Sequence, residues 1–429
     1  MNTEKRKTLP LKMHAIATLY TLFLKKLSQL KNIPNDFKES FLTLLLCIPG
    51  GLLSGIIIGV STSSLEVFPA LIILIPGAID MRGNIFASFG SRLGTYLHTG
   101  QISPSFKRVK ILDQNIASSF ILTMFMSTYL GLLASILAKV VGLKVDVIDM
   151  LLVSILGGVF SAFFMLIITV VIAFLSFRKG WNPDNVTSPI ITLAGDILTL
   201  PLLFISLSLV LMMPGMMKLG FFIILLVLTI SSFMLIFYHK CKPFCKRIVL
   251  ESIPVFFFCG LLSTFSGSIL GGNITGLISI AGLFTIIPAF LEHGGAMGGI
   301  LSSKFSSALH LGTIQSSKNL SKPSKEVIHS FLIMHVQGLI IFSLLGSFAF
   351  LVNIALNLST PSILHMILVC VIAGELLLVI INFVSYYSCV LSYKSGLDPD
   401  NIVIPLITSS MDVVGTSCLV GTIIFLGII

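Results

Sequence analysis

Two stretches of this chain follow one pattern: PDNVTSPIITLAGD at 183–196 and PDNIVIPLITSSMD at 399–412. Each opens on Pro-Asp-Asn and then places a proline, a threonine and an aspartate at the same spacing. Each also runs on into an apolar segment of helical length. An ionisable side chain inside such a segment is costly to bury in a bilayer and is a functional candidate by default. The decisive feature is that it occurs twice, as Asp196 and Asp412.

The match extends upstream. At an offset of 212, Glu39 meets Glu251, Gly55 meets Gly267, Gly59 meets Gly271 and Pro76 meets Pro288. The same offset pairs Asp80 with Glu292, Gly83 with Gly295, Arg92 with Lys304 and His98 with His310; the PDN block follows at an offset of 216. The chain is a tandem duplication.

Composition sets the solvent. Of 429 residues, 27 are Lys or Arg and 17 are Asp or Glu, so charged residues make up 10%, while 55% are apolar. An ordinary soluble domain carries roughly 25% charge, and mean hydropathy here is +1.05. These values exclude a soluble enzyme, a disordered chain and a nucleic-acid module. The expected fold class is an all-α polytopic membrane protein whose natural medium is the lipid bilayer.

Apolar windows at 40–62, 65–80, 116–140, 148–177, 187–212, 219–238, 250–272, 274–291, 328–352, 361–391 and 402–429 give about 11 transmembrane helices. Those at 65–80 and 274–291 are short and end in polar residues. Five spans fall in each repeat, and an extra span at 219–238 makes the two repeats enter from the same side. They are therefore parallel copies, related by a pseudo-two-fold axis along the membrane normal. The expected segments are a basic tail at 1–38, repeat one at 39–215, a linking helix and loop at 216–249, and repeat two at 250–429.

The net charge of +10 reads as topology. With the N-terminus cytoplasmic, inner loops hold 23 of the 27 basic residues and outer loops hold Lys139, Lys144 and Lys218, leaving Arg82 near a helix end. The localisation expected is a multi-pass cell-membrane protein with an extracellular C-terminus. The apolar stretch Met13–Leu24 in the tail is too short to span and reads as an amphipathic helix on the inner face. Most of the seven cysteines sit in apolar runs as core residues. Cys241, Cys245 and His239 form a short basic loop without a second ligand pair, which does not amount to a zinc site.

Ser188, Thr192 and Asp196 are spaced i, i+4, i+8, on one helical face, and Thr408 with Asp412 repeats the pattern. Two carboxylates with several hydroxyls make a hard-oxygen site suited to Mg²⁺, which keeps most of its water. The alternative for the two aspartates is a structural role capping neighbouring helices. The PDN elements (Asp184, Asn185, Asp400, Asn401) read as helix caps with the proline outside the first turn, and cation attraction to the mouth is an added role. Gly77, Asp80, Arg82, Gly83 and Asn84 read as a polar break after the second span, with Glu292, Gly294 and Gly295 as its second copy. Non-helical backbone at membrane depth normally lines a cavity. Arg92 and Lys304 read as snorkelling side chains at the inner interface. Glu375, mid-span and unmatched in repeat one, is a proton or Na⁺ coupling candidate or a helix–helix hydrogen-bonding group.

This arrangement resembles the membrane domain of MgtE-type magnesium transporters, and the duplication resembles the tandem-repeat branch of that family. The resemblance covers about 39–212 and 251–429. It implies a pathway for a largely hydrated divalent cation at the repeat interface, lined by the fifth helices. Asp196 and Asp412 then act as ion ligands, with Ser188, Thr192 and Thr408 on the same face. It also implies no enzymatic activity and no cofactor beyond the transported ion, and a fused pseudo-dimer able to work as a monomer. Three departures stand out: the chain has no room for the cytosolic magnesium sensor of bacterial members, Asp80 and Arg82 interrupt a normally more neutral glycine-asparagine segment, and Ala296 replaces Asn84 in the second copy. The competing readings are a Na⁺- or H⁺-coupled carrier of another cation on this scaffold and an intramembrane aspartyl protease. The protease fits poorly, because Leu193-Ala194-Gly195 before Asp196 lacks the first glycine of GxGD.

Overall fold

A computed structural model describes residues 35–98, 100–104, 109–178, 183–237, 243–310, 323–395 and 399–429. Among these residues every regular element is helical. The first half contains α1 (Asn35–Val60), α2 (Thr62–Val67), α3 (Leu71–His98), α4 (Lys110–Val140), α5 (Val147–Arg178) and α6 (Pro183–Met212). The linking helix α7 (Gly215–Phe237) follows. The second half contains α8 (Pro243–Gly272), α9 (Ile274–Ser279), a 3₁₀ turn at Ala281–Leu283, α10 (Ile287–His310), α11 (Lys325–Leu356), α12 (Ile363–Lys394) and α13 (Pro399–Phe425).

Eleven of these helices are long and apolar enough to cross a membrane. At about 1.5 Å per residue a crossing of roughly 30 Å needs some 20 residues, and α4, α5, α11 and α12 each exceed 30 residues. Phe163, Phe164 and Ile167 on α5 and Val255, Phe257 and Phe258 on α8 are exposed, as lipid-facing side chains are in a bilayer.

The second span of each half differs from expectation. It is not a short segment ending in a polar break. A one- to two-turn helix (α2 or α9) comes first, and a continuous long helix then carries the glycine-rich segment in its interior. The spans are therefore Leu71–Gly94 and Ala281–Ser306. Glycine lowers helix propensity by only about 1 kcal/mol, and close packing of neighbouring helices at Gly77, Gly294 and Gly298 offsets that cost.

The helices form two compact units, with boundaries at Thr62/Ser63 and Gly272/Asn273. These cut across the sequence repeats. The unit built on α2–α7 takes its remaining helix, α8, from the second repeat. The unit built on α9–α13 takes α1 from the first. Each half has thus exchanged its first helix.

In the first unit α8 packs on α3 and α4. A side-chain carbon on Gly267 would land on the backbone of Ile73. The Tyr129 hydroxyl donates to the Phe257 carbonyl at 3.0 Å, and the two rings stack at 4.1 Å between centroids. Lys218 at the start of α7 pairs with Asp149 at the start of α5 at 2.8 Å, tying the linking helix to this unit.

In the second unit α1 packs on α10 and α11. Here a side-chain carbon on Gly55 would land on the backbone of Thr285. His293 Nε2 lies 2.9 Å from the Leu44 carbonyl oxygen, and Gln337 donates to Ser40 at 2.8 Å. The 3₁₀ turn is anchored by Gly282, whose N–H donates to the Ser359 carbonyl at 2.7 Å and whose carbonyl accepts from Asn353 at 3.0 Å.

Candidate cation site

The fifth helices α6 and α13 begin at Pro183 and Pro399. Proline therefore occupies the first helical position, where its missing N–H costs nothing. It does not stand outside the first turn, as the PDN reading had it. About three turns on, Asp196 and Asp412 are half-buried, as are Thr192 and Thr408 one turn earlier.

The same contact presents this face in both units. A carbon added to Gly83 of α3 would stand 3.6 Å from Thr192 Cγ2, and one added to Gly295 of α10 would stand 3.7 Å from Thr408 Cγ2. Lacking a side chain, each glycine lets the fifth helix approach closely, as small residues do in membrane interiors. In the first unit Gly195 faces the Gly83 backbone nitrogen as well, 3.6 Å from a carbon placed on Gly195. In the second unit the buried Met411 takes that position.

Asp80 lies within a turn of Gly83. Its carboxylate accepts hydrogen bonds from Ser263 of α8 at 2.7 Å and from Asn84 at 3.0 Å. Its duplicate Glu292 is directed at α1, and its Oε2 would lie 2.7 Å from a carbon on Gly51, the position matching Ser263. That oxygen is buried with no hydrogen-bond partner among the described residues. Asp80, Asn84 and Glu292 thus stand on continuous helices, each acid aimed at the exchanged helix.

Arg82 corrects the sequence reading most sharply. It is not near a helix end: it is 1% exposed, in the middle of α3. Its Nη2 donates to Ser127 of α4 at 2.6 Å, while Nε and Nη1 have no hydrogen-bond partner among the described residues. The guanidinium and Ser127 lie against Gly158 of α5. In the second unit Gly294 replaces Arg82, and the Phe342 ring fills the corresponding space against Gly374, beside Phe290 at 5.2 Å. Arg92 does not snorkel either, since its Nε donates to Asn115 of α4 at 2.9 Å.

Glu375, half-buried on α12, accepts from or donates to His335 Nδ1 of α11 at 2.6 Å. Sequence reasoning missed His335. The available signal was a histidine and a glutamate in consecutive spans of one half, both without counterparts in the other. Leu377, two residues along, packs against Gly294 of α10 and Gly415 of α13. Glu375 therefore points away from the fifth helix.

The side chains of Ser188, Asp184, Asn185, Asp400, Asn401, His98 and His310 lie outside the described residues, as do the Met13–Leu24 stretch, His239 and Cys241. Among the described residues no three His, Cys, Asp or Glu side chains converge on one point. Asp196 belongs to one unit and Asp412 to the other.

Comparison with known proteins identifies the family. The profile of the MgtE family, described as divalent cation transporters, matches residues 75–206 and again 287–422. The chain belongs to this family. It is a multi-pass membrane transporter of divalent cations and not an enzyme, and the protease reading falls. It is 27% identical to solute carrier family 41 member 3 of Mus musculus over 376 residues, covering 81% of this chain and 74% of that one. It is 26% identical to the Rattus norvegicus member 3, covering 81% and 78%. Against solute carrier family 41 member 2 of Homo sapiens it is 25% identical, covering 83% and 64%. No solved structure matches the chain significantly.

Proposed function

We propose that this transporter carries partly hydrated Mg²⁺ along a path lined by the fifth helix of each half, with Asp196 and Asp412 as the carboxylate contacts. The supporting observation is the repeated packing of Gly83 on Thr192 and Gly295 on Thr408, which presents a hydroxyl and, one turn on, a half-buried aspartate in both units. Hard oxygen groups in small number suit an ion that dehydrates reluctantly. Ser188 extends the same face by sequence spacing, and Asp184, Asn185, Asp400 and Asn401 draw cations to its cytoplasmic mouth. Asp80 and Glu292 are further pathway groups. The N-terminus is cytoplasmic and the C-terminus extracellular, and one fused chain suffices for function.

The test is Mg²⁺ flux into proteoliposomes for wild type, Asp196→Asn and Asp412→Asn. Each substitution should abolish most of the flux. Full flux in the double variant would remove both aspartates from the path and turn attention to Asp80 and Glu292. The half-buried Glu375–His335 pair favours a second reading, a Na⁺- or H⁺-coupled carrier of another cation. Other-cation flux without Mg²⁺ flux would select it.

A further inference from the structure

We propose that His335, Glu375 and Asn382 form a proton-binding site coupling cation movement to proton movement, an inference that rests on the transport reading above. The three side chains meet between α11 and α12. Glu375 Oε2 lies 2.6 Å from His335 Nδ1, and the Asn382 amide nitrogen lies 3.0 Å from His335 Nε2. Asn382 is 2% exposed, whereas the histidine and glutamate side chains each keep 27% of their surface exposed.

Donor and acceptor counting assigns the protons. An amide nitrogen can only donate, so Nε2 accepts from Asn382, and the single ring proton sits on Nδ1 and is donated to the carboxylate. The site then carries one negative charge. Two acceptors remain buried without hydrogen-bond partners among the described residues, Asn382 Oδ1 and Glu375 Oε1. A proton taken from water by Nε2 converts the ring to imidazolium beside its carboxylate and brings the site to net neutrality. Rotating the Asn382 amide presents Oδ1 to the new Nε2–H, so an orphaned acceptor gains a donor. Releasing that proton to water reverses both changes, and no electron moves. The same amide therefore offers His335 Nε2 a partner in both protonation states, a donor when the nitrogen is bare and an acceptor when it carries a proton.

The surroundings leave the pair to itself. α11 and α12 pack on α1, α10 and α13, whose titratable groups within the spans are Cys47, Glu292, His293, Lys304, Asp412 and Cys418. On their own helices the titratable groups within two turns of the site are His329, Cys370, Tyr386, Tyr387 and Cys389. None of these hydrogen-bonds or ion-pairs with His335 or Glu375. The site is also confined to one half: at the repeat offset of 216, Val159 and Leu166 stand where Glu375 and Asn382 do. A proton fits it better than Na⁺, because hard cations take oxygen ligands, and here a ring nitrogen and an amide N–H fill that space.

The experiment uses the full chain in proteoliposomes with a Mg²⁺ indicator and an internal pH dye, the membrane potential being clamped. In wild type a Mg²⁺ gradient should drive proton movement, and an imposed pH gradient should change Mg²⁺ flux severalfold. His335→Gln and Glu375→Gln should both lose proton movement and the response to the pH gradient. Wild-type Mg²⁺ flux that ignores the pH gradient, or variants that keep wild-type proton movement, would overturn the proposal. A wild type that moves no Mg²⁺ at all would instead sink the transport reading. In that event ¹⁵N-histidine spectra of the intact protein decide the site separately. The resonance missing from His335→Gln should show Nδ1 as the protonated ring nitrogen and shift in Glu375→Gln; a resonance that does neither rules the site out.

Discussion

Gly55 lies against the backbone of Thr285, and its duplicate Gly267 lies against Ile73, the duplicate of Thr285. The same glycine contact thus joins each repeat's first helix to the start of the second span of the other repeat. It is the most direct record of helix exchange in this fold.

Gly55→Leu and Gly267→Leu should each destabilise the folded protein, since overpacking a close contact typically costs about 1–3 kcal/mol. Gly220→Leu on the linking helix, where nothing lies within 4 Å, should leave stability near wild type. Thermal unfolding in detergent checks this. Equal stability of all three would contradict the packing.

At Gly83 and Gly295 the spacing to the fifth helix is ordinary van der Waals contact, 3.6 and 3.7 Å. Gly83→Ala and Gly295→Ala should therefore keep nearly full Mg²⁺ flux, whereas Gly83→Leu and Gly295→Leu wedge the fifth helix away and should lose most of it. Leucine variants with unimpaired flux would show that this packing does not set the pathway.

Arg82 and Ser127 offer a test of burial energetics. Ser127→Ala removes the one side-chain hydrogen bond that the buried guanidinium makes among the described residues and should cost about 1–3 kcal/mol. Arg82→Met keeps most of the volume and deletes the buried charge, a change that is often neutral or stabilising. Thermal unfolding should rank Arg82→Met above Ser127→Ala. The reverse order would mean that the buried Arg82 charge has a compensating partner besides the Ser127 hydroxyl.

Orientation is checked by labelling single cysteines in a background otherwise free of them. Lys144→Cys should react with a membrane-impermeant reagent from outside intact cells, and Lys246→Cys only after the membrane is opened; both positions are exposed. The opposite pattern would invert the topology.

The sequence by itself determined the solvent, the helical class, the duplication and the aspartate-bearing fifth helices. These are local or one-dimensional properties: apolar length, side-chain spacing along one helix, and self-similarity. It misjudged the glycine-rich segment, because intrinsic propensity reads Asp80–Asn84 as a break while neighbouring helices hold it in register. It also left Arg82 at a helix end and His335 unnoticed. Only the tertiary structure decided which helices become neighbours. Apolar side chains face lipid and protein alike, so their pattern does not name a partner, and nothing in α1 or α8 announces the exchange. The pairing of Arg82 with Ser127 and of Glu375 with His335 arises between two different helices, where spacing along one helix carries no information.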